Sequence, residues 1–232
     1  MEETKLGKYT VLFPNGREYH FLKREVWNQE SYYFKSEKPS PFIIDIGSHI
    51  GISVLYFKHI YPNSKILAFE PNPYSFEILN ENIHINGLED INSVNKAIHS
   101  KEGNTILHID GSWNGWESNS SLMEGSWNGK ESTKEIEVEC TTLNPYLKDI
   151  ECIDMLKIDT EGSELDILKS HRKILPKVLN ISVEYHPVVN RKVKKILDIL
   201  KEYFSLEIYM DGKLLKTPID GKLLTIQGKK RK

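Results

Sequence analysis

Phe42-Ile43-Ile44-Asp45-Ile46-Gly47-Ser48-His49-Ile50-Gly51 is the stretch whose reading decides the fold. Its first five residues are mostly apolar and β-branched, as in a buried strand, and Gly47 ends the run. Apolar residues then recur at Ile50, Val54, Phe57 and Tyr61, the spacing of a helix. Strand, glycine turn and helix in that order open a parallel α/β sheet, whose ligands sit beyond the carboxyl ends of the strands.

The alternation continues in both directions. Lys65–Phe69 is a second strand that exits at Glu70, and Asn72-Pro73 starts a helix that stops near Asn86-Gly87. Further strands are expected over residues 94–98, 153–158 and 179–183, with helices near 163–175 and from Pro187 onward. Two last strands, near 206–210 and 223–227, close the sheet. The fold class is α/β, a parallel sheet with helices on both faces. Residues 1–41 read as an N-terminal appendage packed on the core, with Pro14-Asn15-Gly16 as a hairpin turn, and residues 42–232 as one domain. A loop insertion at about 108–135 carries GSWNGWES at 111–118 and GSWNGKES at 125–132, seven of eight residues identical. Trp113 and Trp127 in these copies are either folded back on the body or form an aromatic platform for an acceptor.

Composition narrows the class. Hydrophobic residues make up 39% and charged ones 28% of 232 residues, which excludes a disordered or fibrous chain. A net charge of −2 argues against a surface built wholly for nucleic acid. No apolar run reaches the ~18 residues of a membrane span. The charged start MEETKLGKYT does not read as a secretory leader, so a cytoplasmic location is expected. Cys140 and Cys152 lack zinc-ligand spacing and are expected to be reduced and buried.

The strand exits carry the chemistry. Asp45-x-Gly47-x-x-x-Gly51 lets backbone approach a ligand, yet it is not the glycine pattern that seats a pyrophosphate. Glu70, 19 residues beyond Gly51, stands where an acid accepts from both hydroxyls of a ribose. A nucleoside without phosphates points to S-adenosyl-L-methionine, with S-adenosyl-L-homocysteine as product. Ser48, His49 (chiefly through its backbone N–H) and Asn72 join that set. Asn95 is either an adenine contact or a turn residue. On the acceptor side, Asp159 is the best-placed carboxylate to take a proton, and Glu184 and His186 share its rim. These three could also hold one divalent metal, a reading not favoured. Glu161 is an acceptor contact or, with Glu164, a charge that complements a helix N-terminus.

From Phe42 to His186 these motifs resemble the FkbM family of S-adenosylmethionine-dependent methyltransferases. The resemblance rests on Phe42–Gly47, Ala68-Phe69-Glu70-Pro71-Asn72-Pro73, Asn82 with Asn86, Thr142-Leu143, and above all Lys157-Ile158-Asp159-x-Glu161-Gly162-x-Glu164. It implies a Rossmann-like class I methyltransferase fold, a seven-strand, mostly parallel sheet with an antiparallel last strand, and methylation of an oxygen, often on a sugar or polyketide. Ser48-His49 replaces the family's usual Ala-Asn, and Asn144 stands where Asp is common. Residues 73–90 also resemble a helix of archaeal-type transfer-RNA guanine methyltransferases, but no Asn-Pro-Pro follows the fourth strand. A base methyltransferase for transfer RNA is therefore the alternative, and a non-catalytic binder of the cofactor a second. The expected partner is a small-molecule or glycan acceptor, with nucleic acid disfavoured and a homodimer left open.

Overall fold

The computed structural model describes residues 1–109, 120–122, 134–188 and 191–231. A hairpin of β1 (Glu2–Leu6) and β2 (Tyr9–Phe13) leads into α1 (Gly16–Leu22) and a wide π turn over Lys23–Asn28. The main sheet starts with β3 (Phe42–Ile46), then α2 (Ile52–Ile60), β4 (Lys65–Phe69), α3 (Pro73–Ile85) and β5 (Ile91–Val94). A separate small sheet holds β6 (Ala97–Ile98), β7 (Gly103–Ile109) and β8 (Lys134–Thr141). The main sheet resumes with β9 (Ile153–Ile158), α4 (Glu164–Ser170), β10 (Val178–Tyr185) and α5 (Val193–Leu200). It ends with β11 (Phe204–Met210), β12 (Lys213–Leu214) and β13 (Leu224–Lys230).

Seven strands run in the order β5-β4-β3-β9-β10-β13-β11, and the two-residue β12 extends the edge beyond β11. The strands from β5 to β10 are mutually parallel, while β13 is antiparallel to both β10 and β11. The seven-strand expectation with its antiparallel last strand is thus met, plus one short strand.

The pleat gives the sheet two different faces. Ile44, Ile46, Leu156, Ile158, Val183 and Ile226 point to one side, into an apolar core completed by α4 and α5. Ile43 and Met155 point to the other, against α2, α3 and the N-terminal hairpin. In the cross-strand register Asp45, Lys157 and Ser182 form a row on this second face. Asn82 of α3 and Asn86 at its C-terminal cap bind the backbone of Leu12 and Thr10, so amides fasten β2 to the domain. Trp27 from the π turn packs edge-on against Tyr56 of α2, 5.8 Å between ring centroids.

Local boundaries differ from expectation in four places. The hairpin turns at Gly7, which has φ +59°, while Asn15 caps α1 by accepting from the N–H groups of Arg17 and Glu18. Asn-Gly is therefore a helix start here, since a capping side chain satisfies N–H groups that a turn would leave open. The run 94–98 is split between two sheets. The helix after β9 ends at Ser170 and continues as a tighter 3-10 segment, Arg172–Lys177, around Pro176. Helix α5 begins at Val193 rather than at Pro187. Cys140 is buried, but Cys152 is only half-buried, and both are free thiols. Among the described residues no helix is long and apolar enough to cross a membrane.

Candidate active site

A cleft of about 680 Å³ opens where β3, β4 and β9 end. Its floor is the turn after β3, where the N–H groups of Gly47 and Ser48 both donate to Phe69 O, at 2.9 and 3.0 Å. Gly47 has φ +81°, and a Cβ there would lie 1.7 Å from Asp159 O, so only glycine lets the two strand exits meet. Gly51, at φ +90°, admits Leu79 of α3, whose Cδ1 would lie 2.7 Å from a Cβ there.

Glu70 is fixed by backbone. His49 takes φ +47°, and its N–H donates to Glu70 Oε2 at 2.8 Å, while Asn72 N–H donates to Oε1 at 2.9 Å. Each oxygen keeps a lone pair, so the carboxylate still has two acceptor positions to offer the cleft. Burial raises the Glu70 pKa, opposed by His49 and the two N–H bonds. Phe69, Ala97, Ile98, Leu107 and Leu122 give the neighbouring wall an apolar surface.

The other end of the cleft is charged. Lys157, 2% exposed, sits in the apolar strand β9 with its Nζ 3.0 Å from Asp45 Oδ1 and 3.4 Å from Asp159 Oδ2. It also donates to Gly47 O. Burial alone would lower the Lys157 pKa, but Asp45 and Asp159 raise it above the ordinary lysine value, so it is a fixed cation. Tyr32, from the appendage, reaches Asp159 Oδ2 at 3.1 Å and Glu184 Oε2 at 3.3 Å with one hydroxyl. Burial and these carboxylates push the tyrosine pKa upward, so it stays a donor. Burial, Asp159 and Glu25 raise Glu184 well above the carboxylate range, favouring its neutral form. Behind it, His186 Nδ1 lies 2.9 Å from Glu164 Oε1, and Nε2 lies 3.5 Å from Glu161 and 3.7 Å from Glu184. Burial opposes charge on His186, yet Glu161, Glu164 and Glu184 outweigh it and raise its pKa well above 6.5. The imidazole is therefore a buried cation, a poor proton acceptor at neutral pH.

The sequence-derived residues separate accordingly. Gly47, His49, Glu70, Asp159 and Glu161 line the cleft. Asp45 is 0% exposed and engaged by Lys157 and Ser53. Ser48 is buried with its hydroxyl on Asp45 O, and Gly51 packs on Leu79. Asn72 caps α3 through Tyr74 N–H, and Asn95 donates to Glu70 O and Pro71 O, the turn role of its two readings. Glu184 and His186 stand behind Asp159 rather than among the cleft-lining residues. One ligand atom each from Asp159, Glu184 and His186 falls within 4.8 Å of the others, the spacing a metal needs.

Trp113 and Trp127 lie outside the described residues. Between the two tryptophan copies, however, Ser121 pairs with His108 and donates its hydroxyl to Glu161 O at 2.7 Å. Ser120 accepts from Asn72, and Leu122 lines the cleft. Sequence reading missed Tyr32, Glu25 and the role of Lys157. Only Lys157 left a signal, as a lone charge in an apolar strand.

Residues 45–205 match the methyltransferase FkbM domain. The chain belongs to that family. It is a S-adenosylmethionine-dependent methyltransferase with a class I fold. It is 31% identical to methyltransferase sdnD of Sordaria araneosa over 194 residues, 73% of this chain and 74% of the relative. It is 26% identical to the 2-O-methyltransferase NoeI of Sinorhizobium fredii over 159 residues, 64% and 65% of the two chains. The crystal structure of methyltransferase FkbM from Methylobacillus flagellatus superposes with a TM-score of 0.59 at 13% identity. It covers 86% of this chain, which spans 47% of that longer one.

Proposed function

We propose that this FkbM-family enzyme methylates a hydroxyl of a glycan or other small molecule, with Asp159 receiving the hydroxyl proton. The observation that carries the reading is Asp159 itself, lining the cleft while Tyr32 and Lys157 hold its Oδ2 from behind. Glu70 would accept both ribose hydroxyls, and the apolar wall beside it suits an adenine. When bound, S-adenosylmethionine supplies a methyl group on a positively charged sulfur. The charged end fits such a ligand: the carboxylates of Asp45, Asp159, Glu161 and Glu164 outnumber the two cations they pair with, Lys157 and His186. Transfer consumes the ligand's positive charge and releases the hydroxyl proton, and a carboxylate-rich end can take up that proton. The name of the Sinorhizobium relative, a 2-O-methyltransferase, agrees with an oxygen acceptor.

Asp159 is met by Lys157 and Tyr32, and Glu184 favours its neutral form, so we infer turnover without a divalent ion. The free thiols Cys140 and Cys152 support a cytoplasmic setting. To test the reading, the protein is incubated with labelled S-adenosylmethionine and fractionated glycan, small-molecule and RNA pools. Label is expected in a hydroxyl-bearing small molecule or glycan, unaffected by chelator. Asp159→Asn is expected to lower kcat by roughly 10²–10⁴, the scale of a lost proton acceptor, with the affinity for S-adenosylhomocysteine retained. Label in RNA, or full turnover by Asp159→Asn, would overturn it.

A further inference from the structure

The end of the sheet opposite the cleft carries a basic groove that the chemistry above leaves unused. The strand ladders place it there. Val178 at the start of β10 pairs with Ile153 at the start of β9, the strand that exits at Asp159. Asn180 pairs with Lys229, and Lys230 pairs with Phe204 at the start of β11. Beside these strand ends lies a groove of about 900 Å³, lined by Lys169, Arg172 and Lys173 together with Pro176 and Tyr203. We propose that this groove is a docking surface for an anionic lipid bilayer, which it binds through headgroup phosphates with the cleft turned away from the membrane.

Local structure brings the cations together. Helix α4 ends at Ser170, and the 3-10 segment Arg172–Lys177 buries Ile174 and Leu175. Lys169, Arg172 and Lys173 stay exposed. The far end of β13 is tied to the same wall. Lys230 donates to Pro176 O, and the Arg231 N–H donates to Tyr203 O at 3.0 Å. Residues 169–177 and 228–231 contain no Asp or Glu. Among the described residues the acid paired with this group is Glu202, on Arg172. Lys177 does not line the groove; it donates to Ile150 O, between Asp149 and Glu151, and marks where the basic surface ends.

A net charge of −2 conceals this patch, because a sum over the chain does not say where the charges lie. Clusters of ~4–8 Lys or Arg are the footprint of an anionic lipid surface, each cation adding roughly fivefold in affinity. Two observations select lipid over RNA. No exposed aromatic residue lines the groove, since Tyr203 is half-buried with Arg172 Nε 3.4 Å from its hydroxyl. Single-stranded nucleic acid is held by bases stacked on open rings as well as by phosphate contacts. RNA at this end of the sheet also could not place a reacting group in a cleft at the other end, whereas a bilayer supplies phosphates and leaves the cleft open. None of the exposed large apolar side chains lines the groove, so the attachment is electrostatic and not by insertion. The inference holds for any methyl acceptor.

Sedimentation of the full chain with phosphatidylcholine vesicles, with or without phosphatidylglycerol, tests the surface. The protein is expected to sediment with the anionic vesicles alone and to be released by high salt, which screens exposed charges. Lys169→Gln combined with Lys173→Gln should weaken that binding about 30-fold, the product of two roughly fivefold losses. Lys192→Gln combined with Lys195→Gln removes the same charge from exposed positions at the start of α5, at the cleft end, and should leave binding unchanged. Equal melting temperatures in the three proteins show that the variants fold. No binding of the wild type to anionic vesicles, or equal loss in the two pairs of substitutions, would refute the docking surface. So would tighter binding to poly(U) RNA than to the vesicles at matched phosphate concentration.

Discussion

The two ends of the cleft solve the same problem, holding a carboxylate at a ligand, by opposite means. Glu70 is held by backbone N–H groups within two residues of it or across one strand, supplied by a glycine turn and a helix start. Asp159 is held by side chains from elsewhere in the chain: Tyr32, 127 residues away, and Lys157, itself tied to Asp45. The first arrangement tolerates exchange of side chains around it and demands particular backbone angles. The second demands particular side chains and a fixed balance of charge. Removing one member of a buried charged network leaves the others unpaired, which is the costly outcome.

Gly47 is where both ends meet, so its loss should break the comparison altogether. Gly47→Ala places a Cβ on Asp159 O, and the expected result is loss of several kcal/mol of stability, on the order of 4 or more, read as a collapsed melting temperature. Substituting Glu70 should damage one end alone. Glu70→Ala orphans the N–H groups of His49 and Asn72, and removes the proposed ribose acceptor. Calorimetry should show S-adenosylhomocysteine affinity down by roughly 10–100-fold, or about 1.4–3 kcal/mol. Unchanged affinity would mean that the backbone-built end is not the donor site.

Tyr32→Phe addresses the other end with the ring kept. The hydroxyl shared by Asp159 and Glu184 is lost, costing about 1–3 kcal/mol in a buried site. The expected signature is a falling kcat with little change in affinity for S-adenosylhomocysteine. The smallest effect is a pH slope. His186 and Glu184 both have folded pKa values raised above their unfolded ones, so the folded protein binds more protons than the unfolded chain. Their contribution is fully present below the unfolded values and is lost as pH rises through the folded ones. Thermal stability should therefore decline from neutral toward alkaline pH, and His186→Gln should flatten that decline. A melting temperature that climbs over the same range would contradict the charge assignment.

The legibility of the molecule follows the same division. The strands at Phe42–Ile46, Lys65–Phe69 and Ile153–Ile158 were readable because apolar runs and glycine stops are local signals. Glu70 was readable for that reason too: strand length and turn geometry fix its distance from Gly47. Asp45, Asn72 and Asn95 were placed at strand exits, but sequence does not say which way a polar group turns, so their internal partners were not legible. Each is spent on internal bonds. Tyr32 and Glu25 gave no sign, since nothing in residues 1–41 marks which side chain will cross to a strand end more than a hundred residues later.

What the sequence by itself determined is the order of strands and helices, the glycine turn and the acid at the second strand exit, all set by short-range sterics and periodicity. Tertiary structure alone decided that Lys157 and His186 are buried cations, that Glu184 stands behind Asp159, and that the N-terminal appendage completes the site. The physical reason is that burial and the sum of neighbouring charges set a group's protonation and partners, and both quantities exist only once the chain is folded.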